Sequence, residues 1–195
     1  MAAWMSDIVS QRGLERRQKK LLVEKRQMNR KKRILVVVDG SKASIRAVNY
    51  VGNMMAGKRD VTVCLLDVLG PLPPELTEFG GSEDPEREQE LEKELKDKRE
   101  QWIENAKTKA LPRLKKAKSI FRKARLPAKA VNTEFWIDVN SQGLAAGILE
   151  AGRLNKCNTV VVGRKSFSWL KEMFHHHVTD ELIRKAHDLT VWVVE

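Results

Sequence analysis

The sequence is poor in cysteine and has no long apolar runs. Its 195 residues include only two cysteines, Cys64 and Cys157, and these do not form a CxxC pair. A disulfide framework and a structural zinc site are therefore not expected. No apolar run approaches the roughly 20 residues that a membrane span requires, and the N terminus lacks the charged and apolar regions of a secretory signal. We therefore expect a cytoplasmic protein that makes no membrane contact.

Acidic residues are absent from one long segment, and the charge is correspondingly uneven. The chain carries 37 Lys and Arg against 26 Asp and Glu, a formal net charge of +11. Residues 1–33 hold 11 basic and 3 acidic side chains, residues 75–100 hold 5 and 11, and residues 106–129 hold 10 and none. This distribution predicts a globular domain over residues 34–195, with a charged loop and long helix at 75–125, preceded by a basic helical extension.

Hydrophobic periodicity predicts strands that alternate with helices. Apolar, largely β-branched segments predict five strands, and the segments between them have apolar residues at helical spacing. The predicted strands cover residues 34–38, 61–68, 130–138, 159–162 and 190–194. We expect Pro112 to kink or split the long helix and Ser141 to begin the helix that follows the third strand. Such alternation produces right-handed crossovers and a parallel sheet with helices on both faces.

Polar or glycine-containing segments lie at the ends of four of these strands. Ligands of such sheets bind beyond the carboxyl ends of the strands, where Asp39–Ser41, Asp67–Val68, Asp138–Asn140 and Gly163 are found. Asp39 can accept hydrogen bonds from a ligand or, like Ser41, cap the next helix. Gly163 allows a phosphate to approach the backbone, although a tight exit from a strand also requires glycine.

The chain from residue 34 to residue 195 resembles the universal stress protein family. The resemblance rests on ILVVVDGSKASIRAVNYV at 34–51, VTVCLLDV at 61–68 and the strand, glycine, loop, helix and strand of residues 158–194. It implies a Rossmann-like, adenine nucleotide alpha hydrolase-like fold with a five-stranded parallel sheet of order 3-2-1-4-5. It also implies a binding protein of the stress response that forms a homodimer through its last strand.

The phosphate-binding motif of this family is altered here. ATP-binding members carry G-x-x-G, nine residues and then G-S or G-T after the fourth strand. In this sequence the first glycine is Gly163, Ser166 replaces the second, and His176 and His177 replace the final pair. Glycines let backbone N–H groups approach a phosphate closely, so their loss weakens the site, while Arg164 and Lys165 can partly replace the lost donors.

The adenine side of the motif is better preserved. Val37, Val38 and Asp39 match the family's first-strand contacts, and Val68 matches the apolar residue that stacks on adenine. The resemblance therefore implies a site for ATP or another adenine nucleotide that is altered or lost. Because no nucleophile, base or paired-carboxylate arrangement is recognisable, we expect no enzyme activity beyond weak nucleotide hydrolysis.

Two other sequence features suggest ligands. The consecutive histidines 175–177 would point about 100° apart on a helix, so we expect no metal site there. The basic segments 1–33 and 106–129 have the charge of polyanion-binding regions but no base-reading motif. Two functions therefore stay open: a stress-response binding protein with an altered or lost nucleotide pocket, and a polyanion- or protein-binding adaptor with a vestigial pocket.

Overall fold

The computed structural model describes residues 32–77, 84–137, 143–164, 166 and 178–195. Their five strands form one sheet of order β3-β2-β1-β4-β5, and the pairing is parallel. The strands are β1 (Lys32–Val38), β2 (Val61–Val68), β3 (Val131–Trp136), β4 (Thr159–Gly163) and β5 (Thr190–Val194). The predicted fold class and strand order are therefore confirmed.

Helices lie on both faces of the sheet. They are α1 (Lys42–Met54), α2 (Pro74–Thr77), α3 (Pro85–Lys123), α4 (Leu144–Leu154) and α5 (Val178–Lys185), with a short 3-10 turn at Ala128–Ala130. The two faces have separate cores: α1 and α3 contribute to one, and α4 and α5 contribute to the other. Within the described ranges, no helix is long and apolar enough to span a membrane.

Strand β1 shows why these strands have continuous apolar runs. Its side chains alternate between the two cores, with Leu35 and Val37 on the α4–α5 side and Val36 and Val38 on the α1–α3 side. All four side chains are fully buried. A strand covered on both faces needs apolar residues at every position, as the sequence of β1 predicts.

The sequence places most element boundaries well, with two differences. Helix α3 is continuous through Pro112, so of the predicted kink or split, the split was wrong. Pro112 and Thr108 are exposed, and the Thr108 carbonyl that loses its helical donor can therefore bond to water. Helix α4 has Gly143 as its N-cap residue, whereas the predicted start, Ser141, lies outside the described residues.

Candidate functional site

The turn after β1 carries Asp39 to the carboxyl edge of the sheet. The Asp39 Oδ1 atom accepts a hydrogen bond from the Ser41 N–H at 2.9 Å, and Gly40 between them has a φ of +82°. Ser41 is the N-cap of α1, since its Oγ accepts from the Ser44 N–H at 3.0 Å. Of the two capping candidates, Ser41 caps the helix and Asp39 closes the turn before it.

A buried ion pair lies beside this turn. Arg113 of α3 donates from Nε to Oδ2 of Asp67 and from Nη2 to Oδ1, each at 2.6 Å. The Asp67 side chain is fully buried, and the Arg113 Cδ lies 3.4 Å from the position that a Cβ on Gly40 would occupy. The side chain of Arg113 therefore packs against the β1–α1 turn while its guanidinium neutralises the end of β2.

Burial and pairing act in opposite directions on Asp67. Burial raises the pKa of this carboxyl above its usual value, whereas the hydrogen bonds and charge of Arg113 lower it. The hydrogen bond to Asp67 in turn raises the pKa of Arg113. Loss of the guanidinium would leave a buried carboxyl without its main source of stabilisation.

Sequence analysis did not identify this pair, although both residues interrupt apolar patterns. Asp67 is the one charged residue in the apolar segment of β2. Arg113 lies three residues after buried Ala110 and directly before buried Leu114, so it borders the apolar face of α3. These two interruptions indicate that each residue has a polar role. They do not show that the residues pair with each other, because 46 residues separate them in sequence.

Gly163, predicted to approach a phosphate, is packed against α1. A Cβ at this position would lie 2.5 Å from the carbonyl carbon of Ala43 and 2.6 Å from its oxygen. Contacts this short do not occur between unstrained atoms, so the end of β4 needs glycine to meet the first turn of α1. The close approach that Gly163 permits in this structure is therefore to protein backbone.

Arg164 and Ser166 follow Gly163 in the predicted phosphate segment. The Arg164 N–H donates to the Val194 carbonyl at 2.7 Å, and its guanidinium forms an ion pair with Glu195. The Ser166 N–H donates to the Gly163 carbonyl at 3.0 Å. Its buried Oγ makes no hydrogen bond within the described part of the chain. Both residues thus lie at the carboxyl end of β4.

The remaining predicted residues contribute little exposed side-chain surface. Val37, Val38 and Val68 are at most 2 % exposed, so a ligand at the sheet edge would meet their backbone rather than their side chains. Asp138–Asn140, Lys165, His176 and His177 lie outside the described residues. Among the described side chains, no three His, Cys, Asp or Glu residues group in a way that could hold a metal ion.

A groove runs along β5, which is an edge strand of the sheet. It has a volume of about 550 Å³ and is lined by Tyr50 of α1 and by residues 191–195. The Tyr50 and Trp192 rings meet edge to face with centroids 6.1 Å apart. An edge strand offers unpaired backbone donors and acceptors to another chain, so this groove is the accessible side of the predicted dimer strand.

The carboxyl edge of the sheet therefore brings together three polar groups. Asp39, Asp67 and Arg113 influence one another electrostatically, and Gly163 and Arg164 end the strand on the other side of β1. Asp39, which is 8 % exposed, can accept a hydrogen bond from a polar ligand, whereas both oxygens of the fully buried Asp67 accept from Arg113.

Comparison with known proteins identifies a family to which this chain is similar. The model of the universal stress protein family matches residues 31–195, and no curated protein sequence matches the chain. One similar solved structure is a universal stress protein in complex with cAMP, at 15% identity and a TM-score of 0.50, covering 84% of this chain and 96% of that one.

Two further structures share the fold. Hypothetical protein MJ0577 is 21% identical, with a TM-score of 0.54 over 85% of this chain and 96% of that one. A universal stress protein from Archaeoglobus fulgidus DSM 4304 is 15% identical, with a TM-score of 0.51 over 85% of this chain and 50% of that one. Because the family model covers nearly the whole chain, we conclude that this protein belongs to the universal stress protein family.

Proposed function

We propose that this protein is a cytoplasmic binding protein of the stress response, with at most weak nucleotide hydrolysis, whose nucleotide pocket is altered or lost on the phosphate side. Membership of the family and a solved relative in complex with cAMP support an adenine nucleotide as the ligand class. The substitutions on the phosphate side support this change, because Ser166 and His176 replace glycines that would admit a phosphate and His177 replaces the terminal hydroxyl residue.

The observation that carries this proposal is the environment of Arg164. Its guanidinium is paired with Glu195 and its N–H with the Val194 carbonyl, so the residue expected to replace the lost phosphate donors already has partners. The pair is exposed and therefore weak, but a phosphate would have to displace the Glu195 carboxylate. Gly163 is likewise packed against Ala43.

The nucleoside side has better support. Asp39 is 8 % exposed, and its carboxylate is oriented by the Ser41 N–H. A carboxylate held in this way at the end of a parallel strand can accept hydrogen bonds from a ribose or a base. We therefore expect any affinity to come from the nucleoside and the first phosphate rather than from the triphosphate.

Calorimetric titration of AMP and ATP against the full chain tests this proposal. We expect the two dissociation constants to agree within about threefold, because the nucleoside and the first phosphate, which supply the affinity, are common to AMP and ATP. A tenfold difference would correspond to about 1.4 kcal/mol of binding free energy. Binding of AMP distinguishes an altered pocket from a lost one. ATP binding at least ten times tighter than AMP binding would show an intact triphosphate site and overturn the proposal.

A substitution at Asp39 locates the ligand. Asp39→Asn keeps an oxygen that can accept from the Ser41 N–H but removes the charge, and we expect it to weaken AMP binding at least tenfold. Asp60→Asn is the matched control, because Asp60 is an exposed carboxylate before β2. Equal affinities for the two variants would place the ligand elsewhere. An assay for ADP release from ATP tests the proposed lack of catalysis: we expect at most weak hydrolysis of the nucleotide.

We further propose that the protein is a homodimer joined through β5. The groove of about 550 Å³ beside this edge strand and the Tyr50–Trp192 ring contact support this interface. Tyr50→Lys should shift the mass measured by light scattering from dimer to monomer. Met54→Lys is the control, since Met54 lies one turn later on α1, has the same exposure of 44 % and does not line the groove.

A second candidate function is a polyanion- or protein-binding adaptor that uses the basic helices. It is favoured by one observation: nearly all the basic side chains between residues 106 and 129 are exposed. If the protein has this function, it would bind polyanions with an affinity that depends strongly on salt concentration. It would also do so after Asp39→Asn, which separates it from the nucleotide site.

A further inference from the structure

The second half of α3 has one buried face. The buried residues Ala110, Leu114, Ala117 and Phe121 recur at intervals of four, three and four, so they form a single stripe along the helix. This stripe packs into the core between α3, α1 and the sheet. The opposite side of the helix is therefore directed away from the domain.

Two rows of exposed cations flank this stripe. The members of the first row are seven residues apart, starting at the residue before Ala110, and each member of the second row directly follows Leu114, Ala117 or Phe121. Because successive residues of a helix are 100° apart, the rows lie on opposite flanks. The rows consist of Lys109, Lys116 and Lys123, and of Lys115, Lys118 and Arg122, all exposed. At 1.5 Å per residue they extend over about 21 Å of helix.

The charge of these rows is not cancelled by nearby carboxylates. Residues 106–129 contain no Asp or Glu. In the described structure, the ion pairs of this segment are Lys107 with Glu104 and Arg113 with Asp67, and none involves a row cation. Among the row cations of the described helix, Lys118 donates a hydrogen bond from Nζ to Thr133 Oγ1 at 3.5 Å.

The surface between the rows is narrow and uncharged. Thr108, Pro112 and Ser119 occupy the outermost positions of the helix, and all three are small. There is no aromatic side chain on this surface on which a single-stranded base could stack. The one large apolar side chain that is substantially exposed is Leu111, which is less than a membrane-surface helix requires.

We propose that this surface, the two cation rows and the strip between them, docks into the major groove of double-stranded DNA and holds its phosphates. The major groove of B-form DNA is about 12 Å wide and admits a helix. The small strip would face the groove, while each row would reach the phosphates of one strand. The deep, narrow major groove of A-form RNA does not admit a helix in this way. This inference rests on the second candidate function and names its partner.

Fluorescence anisotropy with a labelled 24-base-pair duplex of arbitrary sequence tests the inference on the full chain, between 50 and 200 mM KCl. The test variant is Lys109→Gln/Lys116→Gln/Lys123→Gln, which removes one row. We expect it to bind at least tenfold more weakly than the unchanged protein at 100 mM KCl. The slope of log K against log salt should fall by about 2.7, since each phosphate contact contributes about 0.9.

The control variant removes three exposed cations from the first half of the same helix. Arg87→Gln/Lys93→Gln/Lys96→Gln has the same net charge as the row variant and retains both rows. We expect its affinity for the duplex to stay within twofold of the unchanged protein. Equal weakening of the two variants would show a general charge effect and overturn the inference. Circular dichroism spectra verify that both variants keep their helix content.

Three competitors identify the partner class: duplex RNA of the same length, polyglutamate, and vesicles of anionic lipid. Each is expected to compete at least tenfold less well than the DNA duplex. If one competes equally and depends on the same row, polyanion binding stands and the DNA assignment fails. If no polyanion binds, the second candidate function fails as well. AMP titration of the row variant, expected to be unchanged, keeps the nucleotide proposal separate.

Discussion

Two arginine–carboxylate pairs on this domain have the same chemistry in opposite surroundings. Arg113 holds the fully buried Asp67 at the end of β2, and Arg153 holds Asp188 through Nε and Nη2 at 3.0 and 2.8 Å on the surface. Burial raises the pKa of Asp67 despite its partner, whereas the hydrogen bond from Arg153 lowers the pKa of Asp188. Desolvation thus dominates the first site and pairing dominates the second.

The buried pair should produce the largest loss of stability when it is broken. Arg113→Met leaves the Asp67 carboxyl buried without its guanidinium. We expect the free energy of unfolding to fall by about 3–5 kcal/mol, the range for removing one partner of a buried pair. Urea unfolding followed by circular dichroism measures it. Arg113→Met/Asp67→Leu is the control and should recover most of the loss, because neither charge then remains buried. No recovery would mean that Arg113 acts through packing alone.

Two glycines differ in whether the atoms packed against them can move. Gly163→Ala forces a Cβ to 2.5 Å from the backbone of Ala43, whereas Gly147→Ala forces one to 2.1 Å from the indole of Trp136. Backbone cannot move without displacing α1, but a half-buried ring can turn. We expect Gly163→Ala to cost about 1–3 kcal/mol and Gly147→Ala to cost less, as measured by urea unfolding. The reverse order would show that Trp136 is the more constrained.

The buried thiols show desolvation without an ion-pair partner. Burial raises the pKa of Cys64 to about 12 and that of Cys157 to about 11. Both thiols should therefore be unreactive toward DTNB at pH 8 until urea unfolds the protein. A raised pKa favours the folded state fully below pH 9 and progressively less as the pH rises toward 12. Cys64→Val should flatten the pH dependence of stability above pH 9, and an unchanged profile would contradict this.

The exposed pair should have the smallest effect. Arg153→Ala is expected to leave the urea midpoint at pH 7 unchanged within error, because solvent screens both partners. Because the pKa of Asp188 is lowered in the folded state, the pair stabilises the protein at pH values above 3.8, the ordinary pKa of the carboxyl. This contribution is lost as the pH falls through the pKa of Asp188 in the folded state. NMR titration of Asp188 should show its pKa return to the ordinary range in 1 M salt. Persistence of the shift would indicate a partly desolvated pair.

Local patterns predicted the residues of the sheet edge but not their partners. Ser41 and Asp39 were both recognised as polar groups at a helix start, and the cap could be assigned only from the hydrogen bonds. Gly163 was expected at a strand exit. The contact that requires glycine there is with the backbone of Ala43, which is 120 residues away in sequence. Arg164 was predicted as a phosphate ligand and is paired with Glu195, because β5 brings the carboxyl terminus beside it.

The sequence by itself determined the alternation of strands and helices, the strand limits within a few residues and the basic character of residues 106–129. Periodicity and charge are properties of neighbouring residues, so they can be read along the chain. Only the tertiary structure decided which polar residues pair, as with Asp67 and Arg113, and which face of α3 is covered. Those outcomes depend on burial, and burial is set by segments that are distant in sequence and meet only when the sheet forms.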